Sequence, residues 1–102
     1  MSAAQPLERL DVRIEGYVQG VGFRWFVARE AARLGLVGWT ANEADGSLRV
    51  VVEGSADALD DMLASLRRGP SAAEIRQVTS QRLAAAGGFG TFEIRAGAHS
   101  GD

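Results

Sequence analysis

Between Leu10 and Leu34 the apolar period of this chain changes from two to about 3.6, and the change is made across a segment holding Gly16, Gly20 and Gly22. Leu10, Val12 and Ile14 alternate with Asp11, Arg13 and Glu15, the pattern of a strand with one buried and one wet face. Beyond the glycines, Phe23, Val27, Ala31 and Leu34 fall on one side of a helix, and Gly35 is suited to end it. This strand, loop and helix set the plan for the rest of the chain.

Val37 to Ala41 and Leu48 to Glu53 read as two further strands. Asp45-Gly46 between them marks a hairpin, because such a turn needs positive φ, so the two strands pair antiparallel. Ser55 is placed to cap a second helix and Asp57 favours its positive end. Leu59, Met62, Leu63 and Leu66 give that helix one apolar face, and Gly69-Pro70 ends it. Ile75 to Gln81 supplies a fourth strand, Ala84 to Gly88 a flexible connection, and Phe92 to Arg95 a short last strand. The order predicts an α+β fold, a ferredoxin-like βαββαβ sandwich in which two helices cover one face of an antiparallel sheet, plus the short final strand. We expect a flexible N-terminus over residues 1–6, one domain over 7–95 and a loose tail over 96–102.

Composition narrows the function more than it identifies it. At 102 residues the chain is long enough for a single core. A net charge of −2 offers no global attraction to nucleic acid or to an anionic membrane, so any anion must be held locally. Without cysteine there is no disulfide, thiolate nucleophile or cysteine-based metal site, and a reducing compartment is permitted. The opening Met1-Ser-Ala-Ala-Gln-Pro6 lacks the basic and apolar regions of a signal peptide, and no stretch reaches the roughly 20 apolar residues of a membrane span. A cytoplasmic monomer is expected.

The segment Gly16-Tyr-Val-Gln-Gly-Val-Gly-Phe-Arg24 is the first candidate site. Its glycines allow a tight path along which successive N–H groups converge, an arrangement that cradles anions. The following helix presents its positive end, and Arg24 in the first turn can add a bidentate grip on phosphate oxygens. A flexible turn with a solvated Arg24 accounts for the same residues. Against that, a cation at a helix start meets the wrong end of the dipole.

Val18 to Arg24 closely resembles the signature loop of the acylphosphatase family. The resemblance continues through Gly38-Trp-Thr-Ala-Asn42-Glu-Ala-Asp-Gly46, Glu53-Gly54, Arg68-Gly69-Pro70 and Phe92-Glu-Ile-Arg95, covering nearly all of residues 7 to 95. Thr40, Ala41 and Arg49 depart from the family pattern, which more often has valine, a basic or polar residue, and an acidic residue at these places. The resemblance implies hydrolysis of small acyl phosphates to carboxylate and inorganic phosphate by direct attack of water. It implies that Arg24 and Asn42 are catalytic, Arg24 binding phosphate and Asn42 orienting the water. It also implies a phosphate site along Gln19, Gly20, Val21, Gly22, Phe23 and Arg24. Neither metal nor cofactor is implied.

The residues themselves are consistent with that chemistry. An amide carbonyl can accept a hydrogen bond from water, although an asparagine three residues before Asp-Gly also suits a turn. A carboxylate leaving group needs little acid assistance, so placement and charge stabilisation can carry the reaction. The single histidine, His99, lies in the tail, and no carboxylate cluster has magnesium-ligand spacing. A cysteine-dependent phosphatase would need Cys-x5-Arg, and the position matching that cysteine before Arg24 is Val18.

Other features have simpler explanations. Trp25, Phe26 and Trp39 could form a stacking platform, but we expect them in the core. Gly88-Phe-Gly-Thr-Phe92 only partly matches an RNA-binding aromatic motif and has no basic run beside it. Arg67-Arg68 suits the negative end of a helix. Two other functions are compatible with this fold plan. A carbamoyl-phosphate-handling domain belongs in long chains with zinc-finger cysteines, which are absent here. A non-catalytic ferredoxin-like module would bind an anion or RNA without turnover.

Overall fold

A computed structural model describes residues 6–96. The strands are β1 (Glu8–Tyr17), β2 (Val37–Asn42), β3 (Leu48–Gly54), β4 (Glu74–Ala84) and β5 (Phe92–Arg95), and the helices are α1 (Phe23–Leu34) and α2 (Ala56–Arg68). The sheet runs β4-β1-β3-β2-β5. All neighbours are antiparallel except β5, which lies parallel to β2 with Gly38 opposite Phe92 and Thr40 opposite Ile94. The ferredoxin-like order is thus extended by a fifth strand that makes the sheet mixed.

Each strand's alternation sorts its residues between two environments. Leu10, Val12 and Ile14 of β1 and Leu48, Val50 and Val52 of β3 are buried and pair across the sheet. They pack with Phe23, Val27 and Ala31 of α1 and Leu59, Met62 and Leu66 of α2 in one core. Burying a side chain of this size stabilises by about 1.5–3 kcal/mol, so the sheet-to-helix layer dominates the fold's stability. The helix ends follow the residues that mark them. Ser55 Oγ accepts from the Ala58 N–H at 3.2 Å, and Gly35 takes left-handed φ of 70° while donating to the Ala31 and Ala32 carbonyls.

Two strands are longer than the sequence pattern indicates. β1 and β4 pair along their whole lengths, from Glu8 opposite Ala84 to Tyr17 opposite Glu74. β4 is an edge strand whose outer residues are mostly exposed, so they carry no apolar alternation to mark its end. The connection after it is tethered. The Ala86 and Gly87 N–H groups donate to the buried Glu53 carboxylate at 2.9 and 3.1 Å. The loose ends expected at residues 1–6 and 96–102, and His99 with them, lie outside the described residues apart from Pro6 and Ala96. Among the described residues no helix is long and apolar enough to cross a membrane.

Candidate active site

β1 delivers the chain to the glycine loop through a bulge at Glu15/Gly16. Gly16 has φ of 139°, and a Cβ there would strike the Glu74 carbonyl, so glycine is required by both conformation and space. At the loop's other end Gly22 stands at the N-cap of α1 with φ of 80° and no side-chain cap. A Cβ on Gly22 would meet no atom, so conformation alone selects glycine there. The Phe26 N–H bonds back to the Gly22 carbonyl at 3.1 Å, closing the first turn. No acidic residue occupies that turn, which leaves the positive end of α1 uncompensated.

Arg24 and Asn42 meet at this end of the helix. Together with Val18, Gly20, Gly22, Phe23 and Trp25 they line a cleft of about 210 Å³ in which Arg24 is the one charged residue. Asn42 is the last residue of β2, opposite Leu48 of β3, and is 4% exposed. Its place is fixed by a brace that spacing did not reveal. The Gln19 Nε2 donates to the carbonyls of Glu43 and Ser47 at 2.9 and 3.0 Å, tying the glycine loop to the β2–β3 turn. That turn holds itself closed. The Asp45 Oδ1 accepts from the Ser47 N–H at 2.9 Å and from its Oγ at 2.6 Å, and these bonds, Oγ first, hold the Asp45 carboxyl below its ordinary value.

Of the expected phosphate-binding residues, Gly20, Gly22, Phe23 and Arg24 line the cleft, whereas Gln19 and Val21 do not. The Gln19 side chain is engaged with the hairpin. The Arg24 Nη1 donates to the Arg95 carbonyl at 3.3 Å, so β5 holds the guanidinium at the cleft. Thr40 and Ala41 take no part in the lining. Thr40 is buried with its Oγ1 donating to the Arg49 carbonyl at 2.8 Å, and Ala41 is buried between Arg49 and Arg95 in the sheet register.

The expectation that Trp25, Phe26 and Trp39 pack in the core is met only by Phe26, which stands edge-on to Phe23 at 5.8 Å and packs against the core. Trp25 is 72% exposed. On a helix, Phe23, Phe26 and Val27 share one face, and residue 25 is turned away from it. Trp39 is half-buried on the sheet face opposite the helices, between the guanidinium groups of Arg49 and Arg95 at 5.7 and 4.7 Å. That face is a lattice of ion pairs. Arg9 meets Glu53 at 2.7 Å, Arg49 meets Asp11 at 2.6 Å, and Arg13 meets Asp45. A larger hollow of about 340 Å³ lies among Asp11, Arg13, Asp45 and Arg49, whose charges already satisfy one another. The smaller cleft keeps its cation unopposed.

A family model described as Acylphosphatase matches residues 10–94. An acylphosphatase from Bordetella parapertussis is 47% identical over 76 residues, spanning 74% of this chain and 81% of that protein. One from Salinibacter ruber is 43% identical over 88 residues, spanning 86% of this chain and 93% of that protein. The crystal structure of acylphosphatase from Bacillus subtilis is similar with a TM-score of 0.83 at 30% identity, covering 86% of this chain and 98% of that one.

Proposed function

The chain belongs to the acylphosphatase family, and from that premise we propose that it hydrolyses the carboxyl-phosphate bond of small acyl phosphates by direct attack of water. The observation that carries the reading is the meeting of Arg24 and Asn42 in one cleft at the open end of α1. In this reading the phosphoryl group sits against the loop backbone at Gly20, Gly22 and Phe23, and Arg24 pairs with its oxygens. The Asn42 amide oxygen accepts a hydrogen bond from the attacking water and fixes its line of approach. Negative charge on the equatorial oxygens is stabilised by Arg24 and the helix end, while the carboxylate departs without a proton. The products are a carboxylate and inorganic phosphate.

The reading assigns charge stabilisation to the protein alone and needs no metal or cofactor. It also treats the chain as a cytoplasmic monomer that binds neither nucleic acid nor membrane. The absence of cysteine and the net charge of −2 support that setting. The open sheet face supports it too, since an RNA-binding sheet needs available aromatics and cations, and here Arg9, Arg13 and Arg49 are each paired with a carboxylate.

The test is hydrolysis of benzoyl phosphate in EDTA, followed by ultraviolet absorbance, beside the Arg24→Ala variant. Turnover by the parent that disappears in the variant is the expected result. A folded parent without turnover would instead favour an anion-binding module.

A further inference from the structure

We infer that Trp25 is a specificity-determining residue that favours acyl phosphates bearing a flat, apolar acyl group. The inference rests on the proposed acyl-phosphate chemistry and concerns the part of the substrate that the phosphate cradle does not hold. Four large apolar side chains are left exposed among the described residues, namely Leu7, Tyr17, Trp25 and Leu83. Trp25 is the most exposed of them and the one that also lines the Arg24–Asn42 cleft. Trp25 follows Arg24 in the first turn of α1, and a residue that lines the cleft while standing 72% in solvent is at its rim.

Packing does not explain a tryptophan at this place. Phe23, Phe26 and Val27 already fix α1 on the sheet, and position 25 faces away from that contact. Among the described residues the Trp25 ring joins no aromatic pair and no cation–π contact, in contrast to Trp39. Its position beside Arg24 is rigid, because the first turn of α1 sets the backbone of both.

Size supplies the remaining step. At about 210 Å³ the cleft is below the roughly 300–1,000 Å³ that encloses drug-sized ligands. It suits a phosphoryl group and the adjoining carbonyl, leaving a larger acyl group to emerge at the mouth, where the indole face is available. An aromatic acyl group can stack there, whereas an acetyl group is too short to cover the ring.

Two phosphonates with a methylene in place of the bridging oxygen, phenacylphosphonate and acetonylphosphonate, test this by calorimetry without turnover. The parent is expected to bind the phenacyl compound about tenfold tighter, with the ratio falling towards one in Trp25→Ala and largely kept in Trp25→Phe. The ratio of KM values for acetyl and benzoyl phosphate should fall in parallel. A binding ratio unchanged in Trp25→Ala would overturn the inference. A parent that shows the binding preference but hydrolyses neither acyl phosphate would refute the hydrolase reading and leave the role of Trp25 standing.

Discussion

Arg24 and Arg95 lie 71 residues apart in the chain and are joined by one hydrogen bond, from the Arg24 Nη1 to the Arg95 carbonyl oxygen at 3.3 Å. The strand added beyond the ferredoxin-like plan therefore ends on a carbonyl that holds Arg24, the residue that the proposed reaction depends on. β5 reaches this position by running parallel to β2, which places Arg95 level with Ala41 and next to Asn42 in the sheet.

One consequence concerns the shape of the cation. Arg24→Lys keeps the charge but loses the planar fork that can serve a phosphoryl group and the Arg95 carbonyl together. We expect kcat/KM for benzoyl phosphate to fall about 100-fold in Arg24→Lys and at least about 1,000-fold in Arg24→Ala. Because the bond to Arg95 is exposed, both variants should melt with the parent in circular dichroism.

Asn42 is expected to act mainly on the chemical step. Asn42→Ala removes the proposed acceptor for water without altering Arg24, so kcat should fall by roughly two to three orders of magnitude while KM changes little. Steady-state kinetics separate the two terms. A rise in KM with kcat preserved would place Asn42 in ground-state binding instead.

Gln19 offers a test of the brace between loop and hairpin. Gln19→Ala removes the two side-chain bonds to the Glu43 and Ser47 carbonyls, which keep the Gly46 and Glu43 N–H groups as donors, and should cost about 1–2 kcal/mol in urea unfolding. Gln19→Glu has nearly the same shape but turns a carboxylate oxygen towards those two carbonyls, so it should destabilise more than alanine. Both should also lower kcat, because the brace ties the glycine loop before Arg24 to the turn that follows Asn42.

Much of this arrangement was legible in the sequence for a physical reason. The alternation of Leu10, Val12 and Ile14 and the helical spacing of Phe23, Val27 and Ala31 reflect a single core, and those residues occupy it. The ends of β4 were not legible, because an exposed edge strand needs no apolar code, and a four-residue strand such as β5 carries no sign of its direction. The proximity of Asn42 to Arg24 came from family resemblance rather than spacing. It depends on the helix-facing side of β2 lying under the start of α1. Trp25 stands in solvent against the general preference of large aromatics for the core, because helical geometry turns Phe23, Phe26 and Val27 inward and residue 25 outward.

The last prediction concerns pH and Glu53, which is 4% exposed and anchors the connection leading into β5. Burial alone would raise its carboxyl pKa, but the hydrogen bonds from the Ala86 N–H, from Arg9 and from the Gly87 N–H outweigh burial and hold it below the ordinary value. A carboxylate depressed in this way binds its proton more readily in the unfolded chain. Its stabilisation is therefore fully present above the unfolded pKa and is lost as pH falls through the lower folded value. Glu53→Gln removes the charge and turns one half of the group from acceptor into donor, facing N–H groups that also donate. At pH 7 the variant should be less stable by about 2 kcal/mol in urea unfolding. The gap between variant and parent should narrow as pH falls below about 4, where Glu53 of the unfolded chain takes up its proton, and should go on narrowing as pH falls through the lower folded value. A gap of constant size from pH 7 to pH 3 would mean that the amide donors of glutamine facing the Ala86 and Gly87 N–H groups, rather than the lost charge, account for the difference.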